Sequence, residues 1–154
     1  MPQDKKVLMC FKFIKATKQD KDYLLKLRQL TMVEHLERSG FFLSKQEHEI
    51  RLDDAFECSH LIFYEDQVIG TLKFQELEEK IEIMQFQIHP NHQCKGLGQK
   101  ILEKLIGAYS PKYLELTVLK ENKAVNLYQR LGFSIFGEDQ FEYFMRTRNT
   151  DRHL

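Results

Sequence analysis

Apolar side chains recur along this chain with two different periods, and the changes of period predict its first elements. A strand over Cys10–Ala16 and a turn at Thr17–Asp20 precede a helix from Asp20 to about Glu37, with Asp20 as the expected N-cap. Ser39-Gly40 breaks that helical pattern. Ser44 and Glu47 have the spacing of a capping box, which predicts a second helix to about Phe56.

The rest of the chain predicts six further strands and two further helices. The strands are His60–Tyr64, Val68–Phe74, Ile81–Ile88, Tyr113–Leu119, Phe133–Phe136 and Phe141–Met145, and the helices are Gln99–Tyr109 and Asn122–Leu131. A turn at Glu65-Asp66-Gln67 makes the first two of these strands a hairpin, and Gly132 stands where a helix end favours positive φ. The order β-α-α-β-β-β-α-β-α-β-β predicts a mixed α/β sheet with helices on its faces. With no linker-like stretch, residues 1–154 are expected to form a single domain, with flexible ends at 1–8 and 148–154.

The strand Ile81–Ile88 contains a change of parity. Its apolar positions are first odd (Ile81, Ile83) and then even (Met84, Phe86, Ile88), which in a regular strand would send them to opposite faces. A β-bulge near Ile83-Met84 would absorb the extra residue and align the polar Glu82, Gln85, Gln87 and His89 on one face, away from the core. A strand buried on both faces is the alternative.

The amino-acid composition restricts the classes of binding partner that we expect. The 154 residues include 23 Lys+Arg and 23 Asp+Glu, so the formal net charge is zero and no excess of positive charge favours nucleic acid or membrane. No apolar run approaches the roughly 20 residues of a membrane span. Cys10, Cys58 and Cys94 lie far apart without metal-ligand spacing, which predicts reduced thiols, no metal site and a cytoplasmic protein.

A loop with two glycines precedes the third predicted helix. The strand ends at His89-Pro90, and the loop runs to Gly96-Leu97-Gly98. Free N–H groups at a helix N-terminus, with the positive end of the helix dipole, favour a phosphate, and glycine lets it approach the backbone. Lys95 and Lys100 could add charge. The P-loop is excluded because no Gly-Lys-Ser/Thr is present, and the dinucleotide fingerprint because residue 101 is Ile.

Two segments resemble one known family. The run Gln93-x-x-Gly96-x-Gly98, after a strand ending in Ile88-x-Pro90, resembles the acetyl-CoA motif of the GNAT superfamily of N-acetyltransferases. The segment from Val118 to Phe133, with Asn122-x-Ala124 and Leu127-Tyr128-x-x-Leu131-Gly132-Phe133, resembles that superfamily's second cofactor segment. The resemblance implies a mostly antiparallel sheet of about seven strands with about four helices, in which the fourth and fifth strands splay apart.

The resemblance also implies a set of site residues. The backbone of Phe86, Gln87 and Ile88 would bond the pantetheine arm and polarise the thioester. The pyrophosphate would be held by the loop and first helical residues, and the Asn122 side chain would contact the pantetheine or phosphate region. The loop residues are Gln93, Cys94, Lys95, Gly96, Leu97, Gly98 and Gln99.

Direct acetyl transfer needs a neutral amine and a proton for the departing thiolate. Glu82 is the preferred general base, by its place on the polar face and its resemblance to a catalytic glutamate of the family; a solvated strand residue is the alternative. His89 could serve instead, or be a loop residue. Tyr128 corresponds to the family's proton-donating tyrosine, although its helical stripe with Ala124, Leu127 and Leu131 also fits core packing. The thiol of Cys94 is expected to be incidental.

The expected reaction is transfer from acetyl-CoA to a primary amine, with a small-molecule acceptor favoured. A protein N-terminus or lysine is the alternative acceptor, and a non-catalytic acyl-CoA-binding module is the alternative function. The acceptor is expected to enter beside the first two helices, lined by Glu34, His35, Glu37, Phe41 and Phe42. A solvated helix face for the charged residues and core packing for the phenylalanines is the alternative for each of them. The protein is expected to be a monomer or homodimer.

Overall fold

The computed structural model of the protein describes residues 11–38 and 43–148, and within 32–38 it describes the backbone alone. The strands are β1 (Phe11–Lys15), β2 (Ser59–Tyr64), β3 (Gln67–Glu76), β4 (Lys80–Ile88), β5 (Tyr113–Leu119), β6 (Ser134–Glu138) and β7 (Glu142–Arg146). The α-helices are α1 (Lys21–Arg38), α2 (Lys45–Asp53), α3 (Leu97–Tyr109) and α4 (Ala124–Arg130). Cys10, Ser39-Gly40, Phe41, Phe42 and both predicted ends apart from Arg148 lie outside the described residues.

All seven strands form one sheet in the order β1-β2-β3-β4-β5-β7-β6. Neighbouring strands run antiparallel except β4 and β5, which are parallel. The parallel pair joins only Lys80–Ile83 of β4 to Tyr113–Leu116 of β5. Beyond those residues the two strands separate, so the predicted mixed fold and the splay of the fourth and fifth strands are confirmed.

The parity change in β4 is a β-bulge, as predicted. Lys73 of β3 pairs with Gln85, whereas the next residue, Phe74, pairs with Ile83, so Met84 is the extra residue. The bulge lies directly after the last β4 residue that pairs with β5. Because a bulge bends its strand and increases the local twist, it accounts for the point at which β4 turns away from its neighbour.

Several element ends differ from the sequence-based prediction. Asp20 does not cap α1; it closes the short 3-10 turn Lys18–Asp20, where its carboxylate accepts the backbone N–H of Thr17 at 2.8 Å. The Ser44–Glu47 capping box is present, but α2 ends at Asp53 because Asp54 is extended and Ala55 has φ of 50°. Helix α3 begins at Leu97, two residues before the predicted start, since Gly96 serves as its N-cap.

The sheet separates a main core from a smaller one. On the first face, α3 and α4 pack on the main core, which is built from buried side chains such as Ile81, Leu102, Leu114 and Tyr128. On the second face, α1 and α2 pack through Leu24, Leu25 and Leu52 against Leu61 of β2. The second face also carries a polar strip on β4, because Glu82, Gln85 and Gln87 pair with Gln75, Lys73 and Thr71 of β3. Gln87 lies on the predicted face but is buried there, where its Oε1 accepts a hydrogen bond from Nε2 of Gln85 at 2.6 Å.

Gly70 permits close packing between β3 and β4. A Cβ at this position would overlap the carbonyl oxygen of Gln87 and lie 3.1 Å from the Cα of Ile88. Both neighbours are backbone atoms that cannot move aside by a side-chain rotation. Gly70 therefore fixes the position of the last residues of β4, next to the loop that follows.

Candidate functional site

The loop between β4 and α3 presents a run of unused backbone donors. Within the described part of the chain, no carbonyl accepts the backbone N–H groups of residues 94–99; the first bond of the helix is Lys100 N–H to the Gly96 carbonyl, at 3.3 Å. No acidic residue lies in the first turn of α3 to neutralise its dipole. Gln93 holds the loop to the strand, because its Nε2 donates to the Ile88 carbonyl at 2.9 Å. The arrangement can bind an anion.

Two residues of this loop adopt left-handed backbone conformations. Gly96 has φ of 75°, and a Cβ there would meet nothing within 4 Å, so the space above it is open to a ligand. Cys94 has φ of 62° although it is not glycine. A Cβ at Gly98 would make ordinary contacts of 3.9 Å with Leu127 and Phe86, which places α4 and β4 against the first turn of α3.

A cleft of about 320 Å³ borders the same helical turn. It is lined by Tyr64, Glu65, Gln67, His92, Lys95, Leu97 and Lys100. Lys95 and Lys100 are exposed, so their ammonium groups can approach an anion held by the loop. The first turn of α3 is therefore open on this side.

The backbone of β4 offers different residues to its two neighbours. The Gln87 carbonyl points towards β3, next to Gly70, and the N–H of His89 donates to the Ile69 carbonyl of β3 at 2.8 Å. Because backbone groups alternate along a strand, those of Phe86 and Ile88 point away from β3, into the gap beside β5. Of the three residues predicted to bond the pantetheine arm, Phe86 and Ile88 thus face the gap, whereas the Gln87 carbonyl does not.

Tyr128 of α4 lies at the first face of the sheet with its ring inside the main core. It is 7% exposed, and its ring centroid lies 5.5 Å from that of Phe133. Within the described residues the Tyr128 hydroxyl has no hydrogen-bond partner. Its oxygen is not fully buried, because among the described residues Tyr23 has the fully buried hydroxyl that lacks a partner. Burial raises the pKa of Tyr128 from 10.0 to about 12. The phenol therefore stays protonated at neutral pH and can donate a hydrogen bond to a ligand.

Glu82 lies on the second face, at the closed end of the gap. It pairs with Glu115 of β5, so the two carboxylates project from neighbouring strands to the same side. The Glu115 carboxylate is engaged by Lys80, at 2.6 Å, and that hydrogen bond raises the pKa of Lys80. Glu82 forms no ion pair within the described chain and is half-buried. A carboxylate in this position can accept a proton from a group that enters from the second face.

The remaining predicted site residues have local structural partners. Nδ1 of His89 accepts the Asn91 backbone N–H at 3.1 Å, which favours its interpretation as a loop residue. Oδ1 of Asn122 accepts the Ala124 N–H at 2.9 Å at the start of α4, leaving the side-chain amide nitrogen for a ligand. Nε2 of Gln99 donates to Glu103 at 2.9 Å. The side chains of Glu34, His35 and Glu37 lie outside those described.

Two features of the second face were not predicted from the sequence. Arg28 of α1 and His48 of α2 are both buried, and Nε of Arg28 donates to Nδ1 of His48 at 3.0 Å. Lys73 of β3 is also buried beneath them. An arginine in a helical stripe of leucines was the available signal, since a charged residue at an apolar position requires a partner.

No three His, Cys, Asp or Glu side chains are grouped closely enough to hold a metal ion in residues 11–31 and 43–148. Among the helices described, none has the length and apolar character needed to cross a membrane.

Comparison with known proteins identifies the family to which this chain belongs. Residues 22–133 match the acetyltransferase (GNAT) family. A probable spermine N(1)-acetyltransferase of Bacillus subtilis subsp. natto is 33% identical over 60% of this chain and 72% of that protein. Acetyltransferase PseH of Campylobacter jejuni is 28% identical over 86% of this chain and 80% of that protein.

Solved structures show the same fold. A PaiA N-acetyltransferase from Thermoplasma acidophilum, solved in complex with coenzyme A, superposes with a TM-score of 0.67 at 15% identity, over 90% of this chain and 98% of that one. The family match covers the loop, the splayed strands and Tyr128 alike. The chain is therefore an acyltransferase of the GNAT acetyltransferase family.

Proposed function

We propose that this protein transfers the acetyl group of acetyl-CoA directly to the primary amine of a small molecule. The observation that carries the proposal is the gap between β4 and β5, which joins a first face bearing Tyr128 to a second face bearing Glu82. An acyl donor held on one side and an amine entering from the other would meet there. The spermine-named relative, a small-amine enzyme by its name, supports the choice of acceptor class.

The residues around the gap fit coenzyme A. The unbonded N–H groups of residues 94–99 suit its pyrophosphate, and the open space at Gly96 leaves room for it. The outward-facing backbone groups of Phe86 and the N–H of Ile88 suit the amides of the pantetheine arm, whereas the Ile88 carbonyl already accepts from Gln93. When bound, acetyl-CoA supplies an activated acyl carbon whose bond to sulfur breaks as a bond to the amine nitrogen forms.

Glu82 is proposed to remove the amine proton. An alkyl amine has a pKa near ~10, so only about one molecule in 10³ is neutral at pH 7, which corresponds to roughly 4 kcal/mol. A carboxylate at the closed end of the gap, acting directly or through water, lowers that cost. The proton taken from nitrogen goes to Glu82 or to solvent.

Tyr128 is proposed to stabilise the sulfur as negative charge develops on it. Complete proton transfer from a phenol of pKa about 12 to a thiolate whose acid has a pKa near ~8.5 is uphill by roughly 5 kcal/mol. Donation of a hydrogen bond carries no such cost. Tyr128 therefore acts as a fixed hydrogen-bond donor that keeps its own proton, and the coenzyme A thiolate takes a proton from solvent as it leaves.

The test combines binding with turnover. Acetyl-CoA at about 100 times its Kd should stabilise the fold by about 2.7 kcal/mol, a rise in Tm of several degrees. Thiol release should then depend on a primary amine, and mass spectrometry should find no acetylated protein without one. A thermal shift without turnover on small amines or peptides would indicate the acyl-CoA-binding module, and turnover on peptides alone would indicate a protein acetyltransferase.

A further inference from the structure

A cluster of basic side chains is buried on the second face, between α1, α2 and β3. The buried basic cluster consists of Arg28, His48 and Lys73, which are 5%, 2% and 5% exposed. It lies beside the polar strip of β4, because Lys73 pairs in register with Gln85. That strip leads to Glu82 and the gap, so the cluster is on the side from which the acceptor is proposed to enter.

Lys73 is accounted for by the fold itself. Its Nζ donates to the carbonyls of Arg51 and Leu52 at 3.3 Å and 3.4 Å and to that of Asp54. These are the terminal carbonyls of α2, where the helix dipole is negative and a cation is stabilising. Burial lowers the pKa of Lys73, while Asp54 opposes this shift. Lys73 therefore needs no ligand.

Arg28 has no such compensation. Its Nε donates to Nδ1 of His48, which requires that ring nitrogen to be unprotonated, so the partner is a neutral imidazole. Among the described side chains no carboxylate forms an ion pair with Arg28, and its terminal Nη groups have no acceptor. Neither Nη atom is among the fully buried atoms without a partner, so both keep access to solvent-sized space.

Arg28 remains charged despite its surroundings. Burial, with a smaller contribution from the charge of Arg51, lowers its pKa to about 10, still well above neutral pH. Buried arginines are almost always paired, because an uncompensated charge away from water is costly. The planar fork of the guanidinium matches the two oxygens of a carboxylate or phosphate. A cationic ligand would instead be repelled by Arg28 and Lys73 together.

We infer that the Nη groups of Arg28 bind an anionic group of the acceptor, a carboxylate or a phosphate, so that the preferred substrate is an amine that also carries an anion. This rests on the proposed function, since it assigns the acceptor of that same site. It distinguishes this chain from an enzyme for polyamines, which carry positive charge alone.

The experiment compares acceptors that differ in one group. The full chain, saturated with acetyl-CoA, is given glucosamine against glucosamine 6-phosphate, tyramine against tyrosine, and spermidine as the polycation. The anionic member of at least one pair should have a kcat/KM higher by roughly 10- to 100-fold, mainly through KM. The two pairs separate phosphate from carboxylate recognition.

Substitution of Arg28 should remove that preference. In Arg28→Gln the anionic member should lose roughly 10- to 100-fold in kcat/KM while its neutral counterpart changes by less than about threefold. Lys26→Gln is the matched control, because it removes an exposed positive charge from the same helix and should leave the preference intact. Equal turnover of neutral, cationic and anionic amines by the native chain, or a preference that survives in Arg28→Gln, would overturn the inference.

A binding measurement keeps the inference testable without turnover. With the cofactor loop already filled by acetyl-CoA, inorganic phosphate should raise the Tm of the native chain by a few degrees and that of Arg28→Gln by none. Should Arg28→Gln not fold, Arg28→Lys keeps the charge without the planar fork, and it should bind phosphate more weakly. The same phosphate shift in every variant would overturn the inference. A missing acetyl-CoA shift would refute the proposed function. The difference in phosphate shift between the native chain and Arg28→Gln would still report on Arg28, because the loop at residues 94–99 is the same in both.

Discussion

Removal of the Tyr128 hydroxyl is the change that best distinguishes a catalytic role of this residue from a packing role. Its ring is packed in the main core against Phe133, but its oxygen has no hydrogen-bond partner in the described residues. Tyr128→Phe keeps the ring and removes only that oxygen. The free energy of unfolding should therefore change by less than about 0.5 kcal/mol, because no hydrogen bond within the protein is lost.

Turnover should respond far more strongly. A hydrogen bond to a charged group contributes about 1.5–3 kcal/mol, so loss of the donor to the developing thiolate should lower kcat by roughly 10- to 150-fold. Affinity for acetyl-CoA should change by less than about twofold, since a neutral thioester sulfur is a weak acceptor. Urea unfolding, titration of acetyl-CoA and thiol release measure the three quantities.

Tyr23→Phe is the control for this substitution. The Tyr23 hydroxyl is fully buried without a partner in the described residues, and burial raises its pKa. Its removal should leave kcat unchanged and should be neutral or stabilising by up to about 1 kcal/mol. If Tyr128→Phe lost more than about 1 kcal/mol of stability and kept its kcat, Tyr128 would be a core residue and the proposed mechanism would be wrong.

Four further predictions concern the rest of the site. Glu82→Gln should lower kcat/KM by roughly 10²–10⁴ at pH 7, and by much less near pH 10 where the amine is already neutral, as a pH–rate profile would show. Gly96→Ala should cost about 1 kcal/mol of stability through its positive φ but retain acetyl-CoA binding, whereas Gly96→Glu should weaken binding at least 10-fold by calorimetry. Gly70→Ala should destabilise the fold by roughly 2–4 kcal/mol in urea and weaken cofactor binding, because the new Cβ displaces the Gln87 carbonyl. His48 has its pKa lowered by burial, then by neighbouring arginines, so stability should be constant above about pH 6.5 and fall below it, and His48→Gln should reduce that slope between pH 7.5 and 5.5.

Each of these predictions has a clear contrary result, which for Gly70→Ala is a free energy of unfolding equal to that of the native chain. A Glu82→Gln profile parallel to that of the native enzyme would remove the general-base role. Loss of binding in Gly96→Ala equal to that in Gly96→Glu would indicate a backbone effect rather than charge. An unchanged pH dependence in His48→Gln would assign the acid sensitivity to other groups.

Features that depend on local sequence were predictable. The bulge at Met84 follows from the parity change in β4, and the capping box at Ser44 follows from spacing within one helical turn. Element order then gave the mixed sheet, and the parallel pairing of β4 with β5 follows from the helix between them. The loop glycines indicated the unbonded backbone donors ahead of α3 for the same reason, since their effect is on the adjacent backbone.

Features that depend on tertiary packing were not predictable. The bond between Arg28 and His48 joins two different helices. Its significance is that no carboxylate among the described side chains forms an ion pair with Arg28, which only the packed fold reveals. The need for glycine at position 70 comes from the approach of β4. Likewise, the direction of the Gln87 carbonyl depends on which neighbouring strand forms hydrogen bonds with each backbone group of β4. The misassigned cap at Asp20 reflects a competing local bond with Thr17.

The short contact between β4 and β5 has a consequence for cooperativity. The strand pairing that joins β1–β4 to the β5–β7–β6 portion of the sheet covers only Lys80–Ile83 and Tyr113–Leu116. A ligand bound in the opening beyond them would add contacts between the two parts of the sheet, which otherwise meet through this short pairing and the main core. Amide hydrogen exchange in β5, β6 and β7 should accordingly slow when coenzyme A binds, even in strands that never touch it.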